Sequence, residues 1–296
     1  MNHLVAVPID SSLAEFLGKK NSTNGIDFYA RRLEEGVLSV LSPSSPEDKF
    51  FAVAEVLTLA DSIVVSTAAI DKLFGEVVIA CDVLHGSPLF TDDNDASSIV
   101  ASTGIKYEST SRSELLRRIT EARHEERPGI RIDLDTAFPV KGIGTVALGI
   151  VTKGVVNAHD KLYHGGKRIE IKSIQSQDED IKQAGPWTRV GLALKGIEHS
   201  EMEKGDLLTD EAIKPATEIE VSLNQSGLAK EDIAIGRVYG FASGFNYTNA
   251  SIISLYGGQA KLKLDRPICL QKDDRFLLMR ERTPRIFGGG KITGIA

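Results

Sequence analysis

The sequence predicts an α/β domain followed by two β-barrels. Three observations carry that prediction. In the first part of the chain, strand-like apolar runs alternate with segments of helical period, as in α/β domains. From Ile130 onward the helical period disappears. Short apolar runs then alternate with glycines and charges at a spacing of about 8–12 residues, the pattern of small all-β barrels. A chain of 296 residues has room for two or three domains, and the expected bounds are 1–127, 128–213 and 214–296.

The elements follow in order. His3–Ile9 reads as a buried strand. Ser11 and Ser12 can cap a short helix, Leu13–Gly18, which Lys19-Lys20 ends with charge suited to a helix C-terminus. Asn21–Gly25 reads as a turn-rich link, and Ile26–Ala30 and Gly36–Leu41 as strands. Ser45-Pro46-Glu47-Asp48 has the chemistry of a helix start: a cap hydroxyl, proline at the first position, acids in the first turn. Phe50, Phe51, Val53, Ala54 and Leu57 follow at helical spacing. Ser62–Ser66 is the next strand. Ala69–Leu84 is a helix with Leu73, Phe74, Val77 and Cys81 on one face. Phe90–Ser98 reads as a polar loop, and Ile99–Ser102 and Ile105–Tyr107 as short strands. Ser111–Glu126 is an amphipathic helix that Arg127-Pro128-Gly129 stops.

In the β region, Gly142, Gly144, Gly149 and Gly154 fall where a strand must turn a corner or admit another backbone. Pro215 is the expected joint between the barrels. Strands of the second barrel are expected at Thr217–Asn224, Ile233–Phe241, Ala250–Leu255, Gln259–Leu264, Ile268–Leu270 and Arg275–Arg280.

Composition bounds the rest. With 42% hydrophobic and 26% charged residues the chain can bury cores and does not read as disordered. No apolar run approaches the length of a membrane-spanning helix, so no membrane partner is expected. Met1-Asn2-His3-Leu4 leads straight into a strand-like run, so no secretory leader is expected and a cytoplasmic location is. Cys81 and Cys269 lack CxxC partners and read as buried free thiols. The six histidines show no metal-ligand spacing, so no metal site is expected. The formal net charge is −6, with 10 Lys and Arg against 17 Asp and Glu in residues 1–120. Nothing there calls for DNA as a partner, although a local basic patch is enough for phosphate contact.

The run from Arg131 to Asp206 carries a family likeness. Phe138, Lys141-Gly142-Ile143-Gly144-Thr145-Val146, Gly149, Ile174-Gln175, Arg189-Val190-Gly191, Leu194-Lys195-Gly196 and Gly205-Asp206 form an ordered, nearly gap-free series. It resembles domain II of translational GTPases of the elongation factor Tu type, most closely the SelB-like branch. Asp273–Gly294 resembles the terminal strand pair of domain III in the same factors. The segment Leu13–Lys20 and the helix Ala69–Leu84 resemble a divergent archaeal SelB-like subgroup, sometimes called EF-Pyl. The likeness implies a GTPase-like α/β domain in front of two barrels, and tRNA or the ribosome as partner.

Against that likeness, the nucleotide motifs are absent. A P-loop needs G-x-x-x-x-G-K-[ST], whose backbone amides cradle phosphates. Here His3–Ile9 is followed by Asp10-Ser11-Ser12-Leu13, with no glycine before Gly18. No D-x-x-G occurs in residues 1–120, where Leu41-Ser42-Pro43-Ser44 takes its place. Thr91-Asp92-Asp93-Asn94-Asp95 stands near the place of [NT]-K-x-D. The expectation is a degenerate GTPase domain with no GTP hydrolysis, no catalytic residue and no nucleotide cofactor.

The resemblance implies a pocket for the aminoacylated 3′ end of tRNA. Its near side is Asp135, Val140, Gly142 and Ile143; its far side is Gln175, Gln177 and Asp178. Val140 and Ile143 would give the base an apolar face, Gly142 close approach, and Gln175 a bond to a ribose hydroxyl. Two positions depart from the Tu type: Gln175 replaces a glutamate, as in SelB-like factors, and Asp178 replaces a basic or neutral residue. Lys141, Lys153, Lys172, Arg280, Arg282 and Arg285 can contact RNA phosphates, with a solvated strand face as the alternative for each. Trp187, unless it packs inward, offers a large exposed ring to a partner. Two rival readings stay open: an interaction module that keeps only the scaffold, with the N-terminal domain as a protein-docking face, and a GTPase with an unorthodox nucleotide site.

Overall fold

The structure, a computed structural model, describes residues 1–122, 128–228 and 232–295. The N-terminal unit contains β1 (His3–Ala6), α1 (Ser11–Leu17), β2 (Lys19–Thr23), β3 (Ile26–Arg32), β4 (Val37–Pro43) and α2 (Phe50–Leu59). It continues with β5 (Ser62–Val65), α3 (Lys72–Val83), β6 (Leu89–Thr91), α4 (Ser97–Val100), β7 (Glu108–Thr110) and α5 (Arg112–Glu121). Its sheet runs in the order β2-β3-β4-β1-β5-β6-β7. β4, β1, β5, β6 and β7 are parallel, while β2 and β3 join antiparallel at one edge. β1 is buried along its whole length because helices cover both faces of the parallel part, which is why it reads as an unbroken apolar run.

Several predicted elements shift. Asp10, not a serine, caps α1, its carboxylate accepting from Leu13 N–H. Lys19 and Lys20 do not end that helix. They open edge strand β2, which takes up most of the predicted link Asn21–Gly25. Ser45–Lys49 closes a turn through Lys49 N–H to Ser45 O at 2.9 Å, so α2 begins only at Phe50 and without a side-chain cap. The polar stretch Phe90–Ser98 starts as strand β6, Ile99–Ser102 begins inside helix α4, and the strand expected at Ile105–Tyr107 forms at Glu108–Thr110. α5 spans Arg112–Glu121; residues 123–127 of the predicted helix and its stop lie outside the described residues.

The first barrel contains β8 (Arg131–Val140), β9 (Gly144–Lys153), β10 (Val156–Asn157), β11 (Lys161–His164) and β12 (Lys167–Ser176). β13 (Glu179–Ile181), β14 (Gln183–Ala184), β15 (Arg189–Lys195) and β16 (Leu207–Thr209) complete it. The sheet order is β11-β16-β8-β9-β15-β12-β13, and a β11–β12 pairing closes the ring. Gly149 is needed for close approach: a Cβ there would sit 2.5 Å from Asp133 O.

The second barrel is β17 (Ala216–Gln225), β18 (Val238–Ser243), β19 (Asn246–Tyr256), β20 (Gln259–Ile268), β21 (Arg275–Met279) and β22 (Ile286–Ile295). It is closed in the order β17-β20-β19-β18-β21-β22. β18 starts five residues later than Ile233, and the strand expected at Ile268–Leu270 is only the end of β20.

Each barrel has its own apolar core, but the largest core crosses all three units. It joins Phe28, Val53, Leu57 and Phe74 of the N-terminal unit to Ile150 and Trp187 of the first barrel and Phe245, Leu277 and Ile286 of the second. Trp187 therefore packs inward, at 7% exposure, and its carbonyl accepts from Ser39 Oγ at 3.0 Å. The ring expected at a partner surface is an internal joint. Cys81 and Cys269 are free and buried. No helix among the described residues is long and apolar enough to cross a membrane.

Candidate functional site

Open α/β sheets bind ligands in the crevice beyond the carboxyl ends of their parallel strands, where the strand order reverses. Here that point lies between β1 and β5. Asp10 stands at it, its Oδ1 accepting from Ser12 Oγ at 2.6 Å and from Leu13 N–H at 3.0 Å. Arg112 of α5 lies 3.4 Å from Asp10 and 3.7 Å from Asp93. Burial alone would raise the Asp10 pKa, but hydrogen bonds from Ser12, Ser66 and Leu13, with Arg112 nearby, hold it below the usual carboxylate range. Beside it, Thr67 N–H donates to Thr91 Oγ1 at 2.8 Å and Asn94 Nδ2 donates to Thr67 O at 2.8 Å. The loop after β6 is thus folded onto the end of β5. The crevice meets an incoming phosphate with a carboxylate at a helix start, where a phosphate would otherwise find free amides.

The second place is the outer face of the first barrel. Cross-strand register puts Phe138 opposite Val146, and links Thr136, Leu148, Gly191 and Gln175 in one row across four strands. These residues form a partly exposed strip running from the β8–β9 hairpin toward the N-terminal unit. Gly191 leaves its floor flat: a Cβ there would lie 3.3 Å from Leu148 Cδ2. At the hairpin tip Val140 is half-buried, Gly142 has φ +84°, and Ile143 is 46% exposed. Lys141 is exposed there, and Lys172 Nζ donates to Ile143 O at 2.5 Å. The strip is therefore apolar around Phe138, Val146, Leu148 and Gly191, with Thr136 and Gln175 in the same row and two lysines at one end.

At the other end the strip runs into a cleft of about 570 Å³ between the barrel and β2–β4. Lys19, Lys20, Tyr29, Arg32, Gln175 and Arg189 are among its lining residues. Gln175 Nε2 donates to Asp180 at 2.8 Å. Gln177 and Asp178 both have positive φ, in the turn between β12 and β13, and Gln177 Oε1 accepts from Arg32 Nε at 3.2 Å. Arg189 sits over the Phe28 ring, its Cζ 3.3 Å from the centroid, and donates to Ser22 Oγ and Asp135, each at 3.1 Å. Burial lowers the Arg189 pKa against the pull of Asp135. Its Nη1 is buried with no hydrogen-bond partner.

The predicted pocket is therefore only partly assembled. Val140, Gly142, Ile143 and Gln175 share the outer side of the barrel, and Gln177 and Asp178 border the cleft. Asp135 does not join them as an open group. It is 1% exposed, held by Arg189 and by Asn24 Nδ2 at 3.4 Å. Two of the predicted phosphate contacts are joints. Lys153 Nζ donates to Gln271 of the second barrel at 2.6 Å. Arg285 stacks on Phe50 at 3.7 Å, with its Nε 3.4 Å from Glu76. Arg280 folds over Phe287 and donates to Pro284 O at 2.8 Å, while Arg282 is exposed in the loop after β21. Sequence reasoning missed Lys19, Lys20, Tyr29 and Arg32 because they come from the other unit. Arg189 lies within the Arg189-Val190-Gly191 run of the family likeness, but its burial and pairing with Asp135 depend on the fold. No group of three or more His, Cys, Asp and Glu side chains able to hold a metal occurs among the described residues.

Residues 144–209, covering β9 to β16, match the family model described as elongation factor Tu domain 2. The whole chain superposes on SelB from Methanococcus maripaludis in its apo form, with a TM-score of 0.79 at 19% identity, covering 100% of this chain and 80% of that one. This chain is SelB-like in fold. The complex of that SelB with the GTP analogue GppNHp matches as well, at TM-score 0.79 and 21% identity. Among sequence relatives, an uncharacterized protein of Methanocaldococcus jannaschii is 28% identical over 290 residues, 93% of this chain and 94% of that one. Elongation factor 1-alpha of Methanosarcina acetivorans is 34% identical over 111 residues, and the match spans 26% of its length. The selenocysteine-specific elongation factor of Haemophilus influenzae is 27% identical over 191 residues, spanning 30% of its length. The SelB-like scaffold thus extends through the N-terminal unit, including the crevice where Asp10 sits.

Proposed function

We propose that this protein binds the aminoacylated 3′ end of a tRNA, alone or on the ribosome, through the strip and cleft of its first barrel, and that it does so without a nucleotide switch. The observation that carries the reading is Arg189. A buried guanidinium with an unpartnered N–H is costly, and an anionic or carbonyl group entering the cleft would satisfy it. The strip beside it is flat and largely apolar, suited to a stacked base, and Lys19, Lys141 and Lys172 flank it with positive charge, while Lys20 is paired with Asp27. Arg189, Gln175 and the hairpin tip all fall in the run that matches elongation factor Tu domain 2 or adjoin it.

The nucleotide-free part of the proposal rests on the crevice. Asp10 occupies the helix start with its own carboxylate, and Arg112 is already engaged by two carboxylates. A carrier that releases its cargo on hydrolysis needs a change in differential affinity. Without one, the protein would occupy its RNA partner and act in the cytoplasm as a competitor or regulator, not as a processive carrier.

Filter binding with aminoacylated and deacylated tRNA tests the first part, with co-sedimentation on 30S, 50S and 70S particles alongside. Preference for the aminoacylated form is expected. Indifference to both tRNAs and to every particle would discard RNA as the partner. Titration with fluorescent GDP and GTP tests the second part, and micromolar binding would sink it.

A further inference from the structure

Helix α2 has nine of its ten residues buried. Apart from Glu55 and Thr58 its sequence, FFAVAEVLTL, is apolar, so it needs cover on nearly every side. Only part of that cover comes from its own unit. Phe245, Leu277 and Ile286 of the second barrel and Trp187 of the first share its core, and the Phe51 ring lies tilted against Tyr247, centroids 5.3 Å apart.

Its polar groups also reach across unit boundaries. The Glu55 carboxylate, in a residue 2% exposed, lies 2.7 Å from Nζ of Lys204, in the turn before β16 of the first barrel. Thr58 Oγ1 accepts from Gly244 N–H, in the β18–β19 turn, at 3.0 Å. At the C-terminal end of the helix, Thr58 O accepts from Arg275 Nε at 3.1 Å and Ala60 O accepts from Arg275 Nη2. The neighbouring helix adds to the second-barrel side. Glu76 of α3 accepts the backbone N–H groups of Arg285 and Ile286, at 2.7 and 3.1 Å. Gly289 lets α3 approach: a Cβ there would fall 2.6 Å from Phe276 O and 3.0 Å from Val83 Cγ2.

We propose that α2 is a fixed keystone, holding both barrels against the N-terminal unit in a single arrangement that no ligand has to impose. Moving either barrel away would expose a helix in which all but Glu55 and Thr58 are apolar, and would break the buried Glu55–Lys204 contact or the bonds to Thr58 and Ala60. The inference concerns the domain arrangement and does not rest on the RNA reading, which this test leaves untouched.

Spin labels at Ser113→Cys, Gly166→Cys and Tyr256→Cys, taken in pairs, report the distances between the three units. One narrow distance per pair is expected, unchanged by millimolar GDP or GTP. A broad or two-peaked distribution, or a shift on adding nucleotide, would overturn the proposal. The charge reversal Glu55→Lys sets like charges together, and should broaden the Ser113–Gly166 distance and speed amide exchange in α2 at least about tenfold. The swap Glu55→Lys with Lys204→Glu should restore both. If the single variant fails to fold, recovery in the swap carries the same information. A single variant as narrow as the parent, or a swap that restores nothing, counts against the keystone.

Discussion

In the N-terminal unit, the crevice beyond β1 has its polar groups bonded to one another: Asp10 to Ser12 and Leu13, Arg112 to Asp10 and Asp93, Asn94 to Thr67. On the first barrel the groups around the cleft are less completely matched. Arg189 keeps an unpartnered N–H, Gly191 leaves a bare floor, and Phe138 and Ile143 stay partly exposed. Both places lie where a protein of this fold could take a ligand. The difference is whether the surrounding side chains already satisfy one another. A crevice whose donors and acceptors are mutually paired must break those bonds to admit a ligand, whereas an orphaned buried donor gains from one.

The largest effect is expected at Arg189. Arg189→Ala leaves Asp135 buried without its cation, and should cost about 3–5 kcal/mol in urea unfolding and abolish tRNA retention on a filter. Retention unchanged in protein that still folds would remove the cleft from the reading.

The next effect is one of pH. Burial pushes the Glu55 pKa up to about 7 from 4.5, with Lys204 opposing the shift and Asp135 adding to it. The folded state then holds a proton that the unfolded chain has lost, so this group's contribution falls as pH rises from about 4.5 to about 7. The expected loss is about 3 kcal/mol across that window. Glu55→Gln should flatten this part of the Tm profile, and an unflattened profile would assign the slope to another group.

Smaller effects sharpen the contrast between the two regions. Asp10→Ala removes a helix cap and should cost about 1 kcal/mol, with no change in tRNA binding and no gain of GTP binding in a fluorescence titration. If nucleotide then bound, the crevice would be a blocked site and not a vestige. Gly191→Phe covers the strip while disturbing little of the core. Its stability should stay within about 1 kcal/mol of the parent, and the preference for aminoacylated tRNA should disappear.

Much of this was legible along the chain. The change from helical to strand period near Ile130 separates the α/β unit from the barrels, because each periodicity reflects which face a local element buries. The Lys141–Val146 run marks the hairpin at the tip of the strip, where Gly142 and Gly144 take positive φ. Whether a G-x-x-x-x-G-K-[ST] pattern follows the first strand is likewise read from local order. Helix starts were misread where capping chemistry competed with packing: Ser45-Pro46-Glu47-Asp48 has the right residues, yet the helix begins where the buried apolar run begins.

What the chain alone determined is most of the local elements and the hairpin at one end of the barrel strip, since both depend on neighbours a few residues apart. Tertiary structure decided which side chains remain available. Asp135 meets an arginine 54 residues on, Arg285 a glutamate 209 residues back, and Trp187 a serine 148 residues away. Pairings of that range arise from how the three units pack, and burial then determines whether a charge is a joint or a contact for a partner.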